Sequence, residues 1–143
     1  MSEKSNNKLK KVDRPTSPHL TIYKPQITSV LSITHRITGV FMTVGAFVLA
    51  AWVIALGESY EMYNCVADIL SSAVGRIFLL GWVFALFFHL CNGVRHLFWD
   101  AGYGFSIRAV NISGWLTILT SLFLTYLAIS CASHQLGGYL WQN

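Results

Sequence analysis

The stretch His89–Asp100, HLCNGVRHLFWD, places ionisable side chains at the end of an otherwise apolar run, Ile77–Leu90. An ionisable side chain inside a membrane segment is costly, so His89 is a candidate functional residue. Helix residues three and four apart are neighbours, so one face carries His89, Asn92, Gly93 and His96. A neutral imidazole is a good axial ligand for haem iron, and Gly93 leaves a gap that a flat ligand could enter. The alternative is a histidine that hydrogen-bonds to a neighbouring helix, and spacing alone favours neither interpretation.

Arg95, His96 and Asp100 follow His89 toward the end of the same predicted helix. At 1.5 Å per residue His96 lies about 10 Å along the axis from His89, too far to bind the same iron. His96 and Arg95 could instead contact a haem propionate, although snorkelling to the lipid headgroups explains each of them taken singly. We expect Asp100 to pair with Arg95 or Arg108.

A six-coordinate haem needs a second axial ligand, and the sequence offers no histidine at the expected depth of His89. His35 lies near the start of the first predicted helix, and His134 lies at the end of the third. Met42 is predicted to lie roughly level with His89, and a Met/His pair is possible, although a methionine there is more typical of packing. The second ligand is therefore expected from another chain or from Met42.

A second polar cluster lies in the first turns of the first predicted helix. Its members share one face: Ser32, His35, Arg36 and Gly39. A hydroxyl and a guanidinium one turn apart could donate hydrogen bonds to an oxygen of a lipid-soluble quinone. Taken singly, Ser32 could cap or bond back to the helix, and Arg36 could snorkel. Their grouping on one face keeps the quinone interpretation open beside these alternatives.

The elements that must hold these residues are predicted to be membrane helices. Of the 143 residues, 54% are hydrophobic and 11% are charged, whereas a soluble domain has about 25% charged residues. With a mean hydropathy of +0.51, this predicts an all-α membrane protein with three transmembrane helices. We place the helices at about 28–57, 74–99 and 109–133, within a membrane anchor of residues 28–134. The other parts are a polar tail and Pro-rich interfacial segment (1–27), a connection (58–73) and a short tail (135–143).

The distribution of positive charge predicts the orientation. Nine of the ten Lys and Arg residues lie before or early in the first helix or around the second loop, and only Arg76 lies opposite. By the positive-inside rule the N-terminus faces the cytoplasm, or the matrix in an organelle. The N-terminus lacks a signal-peptide pattern, so we expect a complete bacterial chain in the cell inner membrane, with the mitochondrial inner membrane as the alternative. Small residues along the first helix, such as Gly39 and Gly45, suit close helix contact and predict a partner subunit.

Other kinds of site find no support in the sequence. The three cysteines form no CxxC pair, so neither a zinc site nor a thioredoxin-like site is indicated. The chain contains no hydrolytic motif and no phosphate-binding motif. The basic N-terminal tail suits membrane orientation rather than nucleic-acid binding, so we expect lipid and protein partners and no nucleic acid.

Two long segments carry a resemblance to a known family. Arg14–Gly39, RPTSPHLTIYKPQITSVLSITHRITG, and His89–Asp100 resemble the two signatures of the cytochrome b556 membrane-anchor subunits of succinate dehydrogenase. The pairing of SxxHRxTG with HxxNGxRHLxWD is specific, and the resemblance spans roughly Arg14 to Thr125. An anchor of a fumarate reductase or another haem b quinol oxidoreductase is one competing interpretation. A cofactor-free structural or transport subunit is another.

The resemblance implies an electron-transfer anchor that is not an enzyme on its own but contributes to a quinone site. It would pack with a second three-helix anchor and hold an iron–sulfur subunit and a flavoprotein subunit at the membrane. One haem b would be shared with the second anchor, and ubiquinone would be the substrate. Carried over by motif position, the implied residues are His89 as axial ligand, Ser32 and Arg36 at the ubiquinone site, His35, Arg95 and His96 near the propionates, and Asp100 in the quinone vicinity. The second axial ligand would be a histidine of the other anchor.

Overall fold

The computed structural model describes residues 24–135, and within that range all the regular secondary structure is helical. The helices are α1 (Ile27–Glu58), α2 (Tyr60–Ser71), α3 (Ala73–Asp100) and α4 (Ile107–Gln135). Three of them, α1, α3 and α4, are long and apolar enough to cross a membrane. The expected all-α membrane protein with three spans is therefore confirmed. The predicted tails up to residue 23 and from residue 136, with His19, lie outside the described residues.

The segment between the first two spans was predicted as a plain connection, and this prediction is wrong. It forms the short helix α2, which starts where the Ser59 hydroxyl accepts a hydrogen bond from the backbone N–H of Met62. Such a cap satisfies one of the unpaired N–H groups at a helix start. The residues that α2 turns inward are half-buried at helical spacing: Tyr63, Val66, Ala67 and Leu70. That spacing, after a capping serine, was the signal available in the sequence.

A tight corner joins α2 to α3. The Ser72 backbone N–H donates to the carbonyls of Asp68 and Ile69, and its hydroxyl accepts from the N–H of Gly75. A Cβ at Gly75 would collide with the carbonyls of Ile69 and Leu70. The glycine therefore lets α3 start directly against the end of α2.

Helix α3 contacts both other spanning helices and determines how the bundle packs. Against α1, the Trp82 indole lies over Gly45, where any Cβ would collide with the ring, and its Nε1–H donates to the carbonyl of Met42 at 3.4 Å. Gly39 likewise faces α3, next to His89. These two glycines were expected to serve a partner subunit, yet in the structure they serve contacts within the chain. The indole on Gly45 thus sets the register of α1 against α3.

Polar side chains along α4 are largely satisfied by their own helix. Thr117, Ser121 and Thr125 donate to carbonyls three or four residues earlier, and Thr117 and Ser121 are buried. Such back-bonding removes the cost of a free hydroxyl in an apolar setting. Most other side chains on the outer faces of the spans are large, apolar and exposed, which suits lipid or a neighbouring subunit.

Candidate haem and quinone site

The structure brings three histidines from two helices together. The rings of His35 on α1 and His89 on α3 stack face to face, with centroids 3.8 Å apart and planes inclined by 13°. His96 also lies near His35, at 5.3 Å between ring centroids. The sequence places His35 at a different level from His89. On α1 the residue that faces His89 is Gly39, one helical turn away, but the side chain of His35 reaches the His89 ring. Helices α1 and α3 run antiparallel, with Gly39 opposite His89. The ring of His35 lies near the rings of both histidines on α3, His89 and His96.

The imidazole of His89 uses one of its two nitrogens for hydrogen bonding. Nδ1 lies 3.1 Å from the carbonyl oxygen of His35 and 3.3 Å from the hydroxyl of Thr38. A carbonyl can only accept, so Nδ1 carries the proton and donates it. The lone pair therefore lies on Nε2, as in histidines that ligate metals through Nε2 with a hydrogen-bonded Nδ1–H. Both partners belong to α1, and Thr38 was not among the predicted site residues.

The residues around His89 fit a haem that takes one ligand from this chain. Because the rings of His35 and His89 are stacked, they cannot bind one iron from opposite sides. Among the described residues, no group of three or more His, Cys, Asp or Glu side chains is arranged to hold a metal ion. A Cβ built at Gly93 meets no atom within 4 Å, so the predicted gap beside the histidines is open.

One buried atom in this cluster lacks a partner. Nδ1 of His35 is buried and makes no hydrogen bond to any of residues 24–135. Buried polar atoms are normally paired, so an orphan of this kind calls for a specific explanation. A carboxylate from a bound group beside the histidines would supply an acceptor for a protonated Nδ1.

Arg95 lies on the α4 side of α3 rather than among the histidines. Its side chain is buried, with 5% of its surface exposed, so it does not snorkel. The guanidinium donates to the Ser113 hydroxyl and the Val110 carbonyl, both at 3.0 Å, and lies 4.1 Å from the centre of the Trp99 ring. The expected ion pair of Arg95 with Asp100 is absent within residues 24–135, and Asp100 is exposed at the end of α3.

Asn92 connects Arg95 to the histidines. It is fully buried, its Oδ1 lies 3.5 Å from a guanidinium nitrogen of Arg95, and its Nδ2 lies 3.4 Å from Nε2 of His96. Arginine only donates, so the amide oxygen must face Arg95 and the amide nitrogen must face His96. The sequence predicted that Asn92 shares a face of α3 with His89 and His96. Its bond to Arg95 was not predictable from spacing, because it depends on how far the Arg95 side chain extends around the helix.

The predicted quinone residues on α1, Ser32 and Arg36, make no ring contact with the histidine stack. His35 turns toward α3, Ser32 is half-buried, and Arg36 is exposed on the outer face. Arg36 lies at the edge of an exposed apolar face of α1 formed by Ile37, Val40, Phe41 and Val44. Ser32 does not cap α1, whose N-cap is Gln26, and its hydroxyl makes no hydrogen bond within residues 24–135. The capping and back-bonding interpretations of Ser32 are therefore wrong, and its hydroxyl is available to a ligand.

The comparisons with known proteins identify the family. Residues 10–128 match the family described as the succinate dehydrogenase/fumarate reductase transmembrane subunit. The chain belongs to this family. Among its relatives, the succinate dehydrogenase cytochrome b556 subunit of Rickettsia typhi is 52% identical over 114 residues, which cover 80% of this chain and 89% of that protein.

More distant members of the family are also named as cytochrome b subunits of succinate dehydrogenase. The cytochrome b556 subunit of Paracoccus denitrificans is 37% identical over 117 residues, covering 82% of this chain and 90% of that protein. The cytochrome b560 subunit of Reclinomonas americana is 39% identical over 122 residues, covering 82% and 85%. The resemblance seen in the sequence signatures is confirmed. With three apolar helices and bacterial relatives, this succinate dehydrogenase anchor is a multi-pass inner-membrane protein.

Proposed function

We propose that this anchor binds one haem b through His89 and helps pass electrons from the iron–sulfur subunit of succinate dehydrogenase to ubiquinone. The observation that carries the proposal is the imidazole of His89 in a membrane helix. Both of its hydrogen bonds use Nδ1, and its Nε2 makes none within residues 24–135. That is the form of histidine that ligates haem iron. The names of the cytochrome b556 and b560 relatives support the same cofactor.

The surroundings of His89 support a role for its neighbours in holding the haem propionates. His35 offers a buried Nδ1 without a partner, and His96 lies beside it. Arg95 contributes through Asn92, which orients His96, while its guanidinium stays against α4. When bound, the haem supplies a one-electron redox centre.

The other ligand of the haem iron would come from a second three-helix anchor subunit. His35 cannot serve because its ring is stacked on that of His89. Met42 bonds through its carbonyl to Trp82, which is about two helical turns along α3 from His89. This argues against the Met/His pair and favours a shared haem.

Ubiquinone binds at the start of α1, where Ser32 and Arg36 donate hydrogen bonds to a quinone oxygen. Donors fixed in a water-poor site are most effective where charge develops during the reaction. The Ser32 hydroxyl, which makes no hydrogen bond within residues 24–135, the exposed guanidinium of Arg36 and the apolar face of α1 beside it support this assignment. Asp100 belongs to the vicinity of the quinone site because it lies at the end of α3, on the side where α1 begins.

The same side of the membrane faces the cytoplasm and the soluble subunits. The excess of Lys and Arg on that side supports the orientation. There the iron–sulfur subunit and, beyond it, the flavoprotein subunit would dock, while the apolar outer faces of the helices contact lipid and the second anchor. These partners are those implied by succinate dehydrogenase, the complex named for the relatives.

Two variants of the assembled complex test the proposal. Arg36→Ala should abolish ubiquinone reduction while succinate oxidation with a soluble dye acceptor survives, because the dye takes its electrons before the quinone site. Arg108→Ala, which removes an exposed cation at the start of α4, is the matched control and should retain both activities. Equal loss of both activities in Arg36→Ala would refute the quinone assignment.

The haem assignment has its own readout. His89→Leu should remove or alter the b-type reduced-minus-oxidised spectrum of the complex. An unchanged spectrum would show that His89 is not the ligand. Absence of any b-type spectrum in the parent complex would instead favour the cofactor-free subunit.

An anchor that works in the direction of fumarate reduction is the second candidate. The family description covers both succinate dehydrogenase and fumarate reductase transmembrane subunits, whereas the cited relatives are named for succinate dehydrogenase. The ratio of succinate oxidation by quinone to fumarate reduction by quinol in the purified complex separates the two.

A further inference from the structure

The hydroxyl of Thr38 lies at the centre of the contacts that hold His89. Thr38 is buried, with 7% of its surface exposed. Its Oγ1 lies 2.9 Å from the carbonyl oxygens of both Thr34 and His35 and 3.3 Å from Nδ1 of His89. A hydroxyl has one proton to donate, and carbonyls can only accept. The proton therefore points at the carbonyls, and the hydroxyl oxygen accepts from Nδ1–H.

The Nδ1–H of His89 is thus shared between two acceptors on α1, the His35 carbonyl and the Thr38 hydroxyl. Because the hydroxyl itself donates to a carbonyl, its oxygen becomes a better acceptor. The proton on Nδ1 is held there by two oxygens rather than one. This leaves Nε2 as the only nitrogen of the ring with a lone pair.

Gly39 gives the same ring its clearance. A Cβ at Gly39 would lie 3.1 Å from Cε1 of His89, closer than most carbon contacts, so the ring would have to shift by a few tenths of an ångström. The opposite constraint comes from His35, whose ring covers a face of the His89 imidazole at 3.8 Å. Residues of α1 therefore contact the His89 ring both at its edge, through Gly39, and on one face, through His35.

We propose that Thr38 is a positioning residue for His89: its hydroxyl fixes the tautomer and rotation of the imidazole and strengthens its electron donation, with Gly39 providing the necessary space. The inference rests on the proposed role of His89 as haem ligand. Hydrogen-bond acceptors at Nδ1 raise the basicity of a ligating histidine and orient its ring. A more basic ligand favours ferric over ferrous iron, so Thr38 lowers the reduction potential of the haem.

The substitution that tests this is Thr38→Val, which keeps the shape of the side chain and removes the hydroxyl. The His35 carbonyl still accepts from Nδ1–H, so the haem is retained. The ferric–ferrous equilibrium should shift toward ferrous by roughly tenfold, which is about 59 mV upward for a one-electron couple. The low-temperature electron paramagnetic resonance signal of the ferric haem should change as well, because the ring is then freer to rotate.

Two variants serve as controls in the assembled complex. Thr38→Ser restores a hydroxyl and should return the potential and the spectrum to the parent values. Thr43→Val removes another back-bonding hydroxyl from α1, one that donates to the Gly39 carbonyl and is exposed. It should leave both quantities unchanged.

The outcomes separate this inference from the proposed function. If Thr38→Val has full haem content with the parent potential and spectrum, the inference is wrong even though His89→Leu loses the haem signal. If His89→Leu leaves the spectrum unchanged, the proposed function itself fails.

Loss of haem in Thr38→Val is also informative. If Thr38→Ser then keeps the haem, the hydroxyl is required and the inference holds. If both lose it, the role of Thr38 is packing and the inference is wrong. Gly39→Ala adds an independent check: it keeps the hydroxyl but pushes the ring, so it should change the paramagnetic signal, and an unchanged signal would contradict the geometry.

Discussion

Replacing Arg95 by lysine should destabilise the subunit although the charge is kept. The guanidinium donates at 3.0 Å to both the Ser113 hydroxyl and the Val110 carbonyl and lies over Trp99. Hydrogen bonds to charged groups contribute about 1.5–3 kcal/mol each. A lysine ammonium is a point donor on a flexible stem and cannot reproduce the planar fork that spans these acceptors. Because lysine would keep only one of these bonds and would stack less well on the indole, Arg95→Lys should cost about 2–4 kcal/mol.

Arg95→Leu makes the comparison sharper because it removes the charge together with its bonds. The Ser113 hydroxyl still donates to the Val110 carbonyl at 3.2 Å, but the fully buried Oδ1 of Asn92 loses its donor, which costs about 1–3 kcal/mol. Removing a buried cation also removes the cost of keeping it away from water. The unpaired Asn92 oxygen and the relief of the buried charge oppose each other, so the leucine variant should lose about as much stability as the lysine variant, roughly 2–4 kcal/mol.

Thermal unfolding of the detergent-solubilised complex, followed by circular dichroism, measures both effects. Arg108→Lys is the matched control because Arg108 is exposed, and it should melt with the parent. The lysine variant of Arg95 should melt several degrees lower. A lysine variant with the melting temperature of the parent would refute the proposed role of the guanidinium geometry. A leucine variant far less stable than the lysine variant would show that the positive charge, rather than the geometry of the guanidinium, stabilises the contact between α3 and α4.

The other predictions concern the glycines that set the packing. Gly45→Ala should cost about 1–3 kcal/mol, because its Cβ would collide with the Trp82 indole. Gly75→Ala should destabilise the corner between α2 and α3 by a similar or larger amount, since its Cβ meets backbone carbonyls that cannot move away as a side chain can. Gly57→Ala, where a Cβ meets nothing within 4 Å, is the control for both and should be neutral or slightly stabilising. Melting temperatures of the three complexes would contradict this account if Gly45→Ala or Gly75→Ala matched Gly57→Ala.

The sequence by itself was sufficient for the class of the protein, its three spans and its family. Apolar length is a property of each segment alone, so hydropathy predicts a span without knowledge of any contact. The signatures around Ser32–Gly39 and His89–Asp100 are equally local, and the family comparison confirmed what they indicated. Helix α2 was missed because a short amphipathic helix with acidic residues differs little in composition from a loop, even though its capping serine and helical spacing were visible.

Only the tertiary structure decided which polar side chains meet. The stack of His35 on His89 and the hydroxyl of Thr38 at Nδ1 depend on the register of α1 against α3, which the Trp82 indole on Gly45 determines. The direction of Arg95 toward α4 depends on how far its side chain reaches around α3. Spacing within one helix assigns residues to a face, but rotation and axial position between helices are set by side-chain packing. Partners on neighbouring helices are therefore a property of the folded bundle.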